Sequence, residues 1–424
     1  MTRTTKLFAA AALGILLGAA CQNDVLFRPQ NFVPIDPLFE RYVSFGNSIT
    51  AGFQSAGIND STQIQAYPVL LAGRMGSPFF VPYFNRPGCP PPYNNLYLQS
   101  RVGGKTGAWC GDTLTGAPRK QQVPPPYISN VAVPGATSLS PTDNMSPFSN
   151  SNALTTLILG GLTQVQAAAR AKPTFVTVWI GNNDVLGSIL DTANAGTPLL
   201  VTDTAVFRQR YVALLDSIAE IGSVRGGVLI GVANVTLVPY LTRGSKFYKV
   251  QARTDSIAAA DTANRHFQSN FLVAPNCAAP HGDSVFVPFQ RGAAVLAFVR
   301  NDTTVTAGVD CDDVHNVSPA EFANLVATVT RYNSIISAEA AARGYAYLDP
   351  NSLFAALPAG AIPTFPNVPS RRGGPLFAPA FLTPFGTIFS LDGIHPTGAA
   401  HKLVANALIT AINTKYGTKI VPIP

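Results

Sequence analysis

The stretch Arg41-Tyr42-Val43-Ser44-Phe45-Gly46-Asn47-Ser48-Ile49-Thr50 passes from a β-rich run into a serine at a bend. Residues 41–45 read as a short strand. Gly46 permits tight backbone geometry after it, and a helix is expected to start at Ser48. A serine at such a turn stands at the C-terminal edge of a sheet, where open α/β sheets bind ligands. A helix beginning there also aims backbone N–H groups at developing negative charge.

Working outward, short β-rich runs recur at 129–133, 174–180, 227–235 and 344–348, and stretches with helical spacing separate several of them. That alternation is the pattern of a parallel sheet covered by helices. Phe207, Tyr211, Leu214, Leu215, Ile218 and Ile221 share one helical face, as a helix packed on a sheet requires. Ser318, Pro319 and Glu321 form a capping box for a helix running to about Arg343. A last helix is expected after Pro396, with Leu403, Val404 and Leu408. Three segments rich in Pro, Gly and aromatics, at about 77–127, 239–317 and 351–390, break the alternation and read as insertions.

The chain has 424 residues, 47% hydrophobic and only 12% charged, with 35 Gly and 35 Pro. This composition is globular and excludes a disordered or coiled-coil chain. The formal charge is +7, and losing Arg3 and Lys6 with a leader leaves about +5. The basic residues are scattered, without the stripe of a nucleic-acid binder.

The N-terminus has basic residues, an apolar stretch from Leu7 to Ala20, and then Cys21. This is the layout of a secretory leader too short to span a bilayer comfortably. Leu17-Gly18-Ala19-Ala20-Cys21 resembles a bacterial lipoprotein signal, which implies cleavage after residue 20 and lipid attachment at Cys21. The expected organisation is a signal peptide at 1–20, a tether at 21–38 and one domain from 39 to 424. The expected location is export and lipid anchoring to a bacterial membrane, facing the periplasm or the cell exterior. Cys89, Cys110, Cys277 and Cys311 remain. An even number in an exported chain favours disulfides, and Cys89 with Cys110 and Cys277 with Cys311 is one of three connectivities.

A serine hydroxyl needs a base to become a useful nucleophile. Asp392-Gly393-Ile394-His395 precedes the final helix and places two functional side chains on one turn. The Asp there can hold the imidazole tautomer while the His takes and returns the Ser48 proton. Acyl transfer also needs oxyanion donors. Candidates are the Gly135 amide, in Val133-Pro134-Gly135-Ala136, and the Asn183 side chain, in Gly181-Asn182-Asn183-Asp184.

These four segments, in this order, resemble the four blocks of the SGNH (GDSL-type) hydrolases over most of the chain. The resemblance implies Ser48 as nucleophile and oxyanion donor, Gly135 and Asn183 as further donors, and His395 as a base oriented by Asp392. It also implies a flavodoxin-like three-layer α/β/α sandwich with a five-stranded parallel sheet. The family's first block reads Gly-Asp-Ser-Leu; here Asn47 and Ile49 replace the Asp and the Leu. The expected activity is hydrolysis of carboxylic esters, an acyl lipid or an acylated glycan, with no cofactor and no metal. An acyltransferase and a non-catalytic glycan- or lipid-binding lipoprotein are the alternatives.

Three other motifs lack the required setting. Gly282-Asp283-Ser284 matches the first block more literally but leads into a strand-like run at 285–289. Asp312-Asp313-Val314-His315 reads as a solvated entry loop, and Gly104-Lys105-Thr106 follows no apolar strand. His266, His281 and His401 read as ordinary surface or partly buried residues. The rings of Phe79, Phe80, Tyr83, Phe84, Tyr93, Tyr97, Phe377, Phe381, Phe385 and Phe389 suggest apolar loops around an acyl or aryl ester.

Overall fold

The computed structural model describes residues 33–107, 109–110, 119–120, 126–258, 270–301, 304–367 and 383–424. The expected leader at 1–20, the expected lipid site Cys21, most of the expected tether, His266, Phe377 and Phe381 lie outside the described residues. Among the described residues no helix is long and apolar enough to cross a membrane.

The centre is a parallel sheet of β1 (Tyr42–Gly46), β2 (Phe175–Trp179), β3 (Gly226–Ile230) and β4 (Ala346–Leu348), paired in that order. Tyr42 lies opposite Phe175 and Gly46 opposite Trp179, so β1 and β2 end level with each other. Residues of the sheet alternate between two cores. Val43, Phe45, Val176, Val178 and Leu229 face one, whereas Tyr42, Phe175, Trp179, Val228 and Ile230 face the other. This two-sided burial is why the runs are mostly apolar on both faces, with Ser44 and Thr177 the buried polar residues among them.

Helices cover both faces. In chain order they include α1 (Ser48–Ala51), α2 (Tyr67–Met75), α3 (Gln164–Ala171), α4 (Asn183–Leu190), α5 (Thr204–Glu220), α6 (Pro319–Ala342), α7 (Pro350–Ala355) and α8 (Gly398–Tyr416). The expected face of α5 is buried from Phe207 to Ile218, with Phe207 stacked on Tyr332 of α6 at 3.8 Å between ring centroids. Leu71 and Met75 of α2 meet Leu408 and Ile412 of α8 in the opposite core. The capping box of α6 is formed, with the Ser318 amide donating to Glu321 Oε2 at 2.8 Å. The result is the expected three-layer α/β/α architecture.

The sheet has four strands, not the expected five. Residues 129–133 follow the free edge of β1 with one parallel bridge, Ser44 to Asn130. The Ser44 amide donates to Ser129 O, the Val131 amide to Ser44 O and the Val133 amide to Gly46 O. The bond that would extend this ladder is missing because the Gly46 amide donates instead to Gln164 Oε1 at 3.0 Å. Gln164 Nε2 also donates to Gly46 O at 2.9 Å. One glutamine of α3 thus takes a strand's place at the position from which the serine turn departs.

The run expected at 227–235 also stops earlier than its composition suggests, at Ile230. Beyond it the Val232 and Asn234 amides donate to the side chains of Asn333 and Asn351, at 2.6 and 2.7 Å. Side-chain amides from α6 and α7 replace sheet bonds there.

The segments expected as insertions hold ordered structure of their own. The first holds a hairpin, Tyr93–Asn95 with Ser100–Arg101. The second holds two two-stranded pairs, Leu241–Arg243 with Phe286–Pro288 and Phe271–Val273 with Ala307–Val309. It buries its own core around Phe247, Val285, Leu296 and Val299. Disulfides join Cys89 to Cys110 and Cys277 to Cys311, so the cysteines brace these small units.

Candidate active site

Ser48 opens α1 directly past β1, with Asn47 as the cap whose Oδ1 accepts from the Ile49 amide at 3.1 Å. Asn47 therefore supplies the acceptor that an aspartate would. Its buried Nδ2 has no hydrogen-bond partner among the described residues. At the first position of a helix the Ser48 amide has no intrahelical partner and remains a donor at the sheet edge.

His395 Nε2 lies 2.8 Å from Ser48 Oγ, a contact between residues 347 positions apart in sequence. His395 Nδ1 lies 2.8 Å from Asp392 Oδ2. The structure thus brings Ser48, His395 and Asp392 into one hydrogen-bonded line. Asp392 Oδ1 accepts from the amides of Ile394 and His395 at 2.9 and 2.8 Å and from Ser390 Oγ at 3.2 Å. Burial alone would raise the Asp392 carboxyl. The His395 imidazole beside it, with the hydrogen bonds from His395 and Ile394, overcomes that and holds its pKa down at about 2. The carboxylate is therefore charged wherever the imidazole could work as a base.

Past residues 129–133, whose Val133 is tied to Gly46, Gly135 adopts φ +87°. That left-handed conformation suits glycine. The Gly135 carbonyl accepts from Asn150 Nδ2 at 2.6 Å, while its amide has no partner among the described residues. Asn183, past β2, donates from Nδ2 to Ala136 O at 2.9 Å. An amide nitrogen carries two hydrogens, which leaves Asn183 a second to give. Asp184, for which the sequence signals no role, is buried and accepts from the amide and the hydroxyl of Ser138, at 2.7 and 2.6 Å. Burial raises its carboxyl, and the Ser138 hydrogen bonds partly offset this. Asp184 thereby fastens the Gly135 loop to the start of α4.

A cleft opens beside Ser48 and His395 and also takes in Asn183. Its wall is apolar, from Leu186 of α4, Val235 and Val238 past β3, Leu353 and Phe354 of α7, and Phe389. Among the described rings expected to surround the site, only Phe389 lines it. The others pack elsewhere, as when Phe79 stacks on Tyr42 at 5.0 Å and Phe80 meets Tyr127 at 4.9 Å. No periodicity marks the short α7 as a wall, so its role was not legible.

The motifs set aside stay apart from this line. Ser284 Oγ donates to the His281 carbonyl at 2.8 Å, and His281 Nε2 meets Asp312 Oδ1 at 3.0 Å. Asp313 pairs with its neighbour His315 in the turn before α6. His401 departs from expectation, for it is fully buried.

A family model described as GDSL-like lipase/acylhydrolase matches residues 42–408. No curated protein matches the chain. Among solved structures, mutant forms of an acetyl-xylooligosaccharide esterase from Geobacillus stearothermophilus are similar at 11% identity. They cover 91% of this chain and 97% of that one, with TM-scores of 0.37 and 0.36. A likeness of that degree says nothing about substrate.

Proposed function

This chain belongs to the GDSL-like lipase/acylhydrolase family and is a carboxylic ester hydrolase, and on that premise we propose that it works through an acyl-enzyme on Ser48. The observation that carries the proposal is the line Ser48 Oγ, His395 Nε2, His395 Nδ1, Asp392 Oδ2, with both contacts at 2.8 Å. His395 takes the Ser48 proton as Oγ attacks the ester carbonyl, and gives it to the leaving alcohol. Asp392 holds Nδ1–H and stabilises the imidazolium. The oxyanion is met by the amides of Ser48 and Gly135 and by the free hydrogen of Asn183 Nδ2, each donor of this kind being worth about 2.7–4 kcal/mol. Water, activated by the same histidine, then releases the acid.

The apolar wall beside the line supports an acyl chain as the part of the substrate held in the cleft. Each methylene that enters gains about 0.8 kcal/mol, roughly fourfold in kcat/KM. A series of p-nitrophenyl esters is therefore expected to rise steeply from acetate through butanoate to octanoate. Activity confined to acetyl groups, with no gain along the series, would contradict the acyl-chain reading. The order of basic residues, apolar stretch and Cys21 further supports export and a lipid tether at Cys21, which palmitate labelling of the wild type against Cys21→Ser would test.

A further inference from the structure

The catalytic carboxylate is aimed from outside its own turn. Of the groups that bond Asp392, Ile394, His395 and Ser390 are its neighbours in sequence. The exception is Ala56, whose amide donates to Asp392 Oδ2 at 2.6 Å, 336 positions away. Oδ2 is the oxygen that also meets His395. Beside this bond the Ser55 amide donates to Ser390 Oγ at 2.8 Å, and the Leu391 amide donates to Ser55 Oγ at 3.2 Å. Three bonds therefore fasten the 390–395 turn to the pair Ser55-Ala56, seven and eight residues past the nucleophile.

That pair is itself held in an unfavourable shape. Ser55 and Ala56 have φ of +54° and +53°, the left-handed region in consecutive residues that carry a Cβ. Gln54 and Gly57 close the turn with amide-to-carbonyl bonds of 2.8 and 3.1 Å. This is the geometry that Asn-Gly adopts readily and Ser-Ala does not, so outside support is required. It comes from the first insertion. Arg101 Nη1 donates to Ala56 O at 2.8 Å and to Pro91 O at 2.7 Å. The Tyr93 amide donates to Ser55 O at 2.8 Å. The guanidinium lies over the Tyr93 ring at 3.8 Å from its centroid. Arg101 does not line the cleft.

We infer that Arg101 is a positioning residue for the reaction, holding the Ser55-Ala56 turn so that the Ala56 amide fixes Asp392 Oδ2 against His395. The inference rests on the triad reading above. It gives the first insertion a role in kcat with none in substrate binding. A misplacement of about 1 Å in such a line can cost up to roughly a hundredfold.

The test is a double-mutant cycle on butanoate ester turnover. Arg101→Met, which keeps the aliphatic stem, is expected to lower kcat about tenfold or more with KM unchanged. In an Asp392→Ala background, where no carboxylate remains to be aimed, the same change is expected to cost less than about twofold. Equal losses in the two backgrounds, a loss carried by KM, or no loss would overturn the inference while leaving the triad in place. A wild type whose turnover survives Ser48→Ala would remove the triad reading and this inference with it. Should Arg101→Met fail to fold, Tyr93→Leu withdraws only the ring beneath the guanidinium and enters the same cycle, with a smaller kcat loss and the same non-additivity expected.

Discussion

Ser48→Ala is expected to lower ester turnover by roughly 10⁴- to 10⁶-fold, with folding unchanged. The change removes one atom, Oγ, whose hydrogen-bond partner is His395 Nε2. The cap of α1 rests on Asn47 and the Ile49 amide, and the Phe53 amide donates to the Ser48 carbonyl. Neither involves the hydroxyl. Residual rate above that of water would come from the oxyanion donors and the cleft, which the alanine leaves intact. Steady-state kinetics with a circular-dichroism melt checks both halves. A loss of less than about tenfold would exclude the acyl-enzyme route, since among the described residues Ser48 Oγ is the hydroxyl bonded to His395 Nε2.

Acid is expected to weaken the fold through His401, a histidine that takes no part in the proposed chemistry. The Tyr67 amide donates to His401 Nδ1 at 3.3 Å, which places the proton on Nε2, and Nε2 has no partner among the described residues. Complete burial, with a smaller contribution from His395, pushes its pKa down to about 3 from the usual 6.5. The unfolded chain takes up this proton below about pH 6.5, while the folded chain refuses it until about pH 3. Stability is therefore fully present above pH 6.5 and is lost progressively as the pH falls toward 3, by on the order of 4 kcal/mol. Urea unfolding of the wild type between pH 7 and 4 should show a steep fall in free energy, and His401→Leu should flatten it. Identical slopes in the two proteins would show that the histidine does not control the acid response.

Much of this architecture is legible in the sequence. Runs buried on both faces of the sheet announce β1 and β2, and the capping box at Ser318 marks the start of α6 to the residue. The Ser48 and Asn183 segments carry local turn chemistry at a strand end, Gly135 follows a β-rich run and the Asp392-to-His395 segment precedes a helix, so their order is visible in the chain. What escapes is whatever depends on contacts across the chain without a local signature. Gln164 displaces a strand bond at Gly46 from 118 positions away. Ala56 reaches Asp392 across 336 positions, and its left-handed φ is one that its side chain gives no reason to expect. The aromatic segments mislead for a related reason. A ring signals burial but not against what, and Phe79 and Phe80 satisfy that need on Tyr42 and Tyr127 instead of at the cleft. The wall is built mainly from aliphatic residues with Trp179, Phe354 and Phe389, most of them on helices and turns whose composition gives no signal.

The most direct test of the central claim is chemical. A fluorophosphonate reacts with a serine only where a base has activated the hydroxyl and oxyanion donors receive the phosphoryl oxygen. Peptide mass spectrometry after labelling should find a single adduct, on Ser48, formed in the wild type and abolished by His395→Ala. An adduct on another serine such as Ser284, or labelling of Ser48 that is indifferent to His395, would contradict the account.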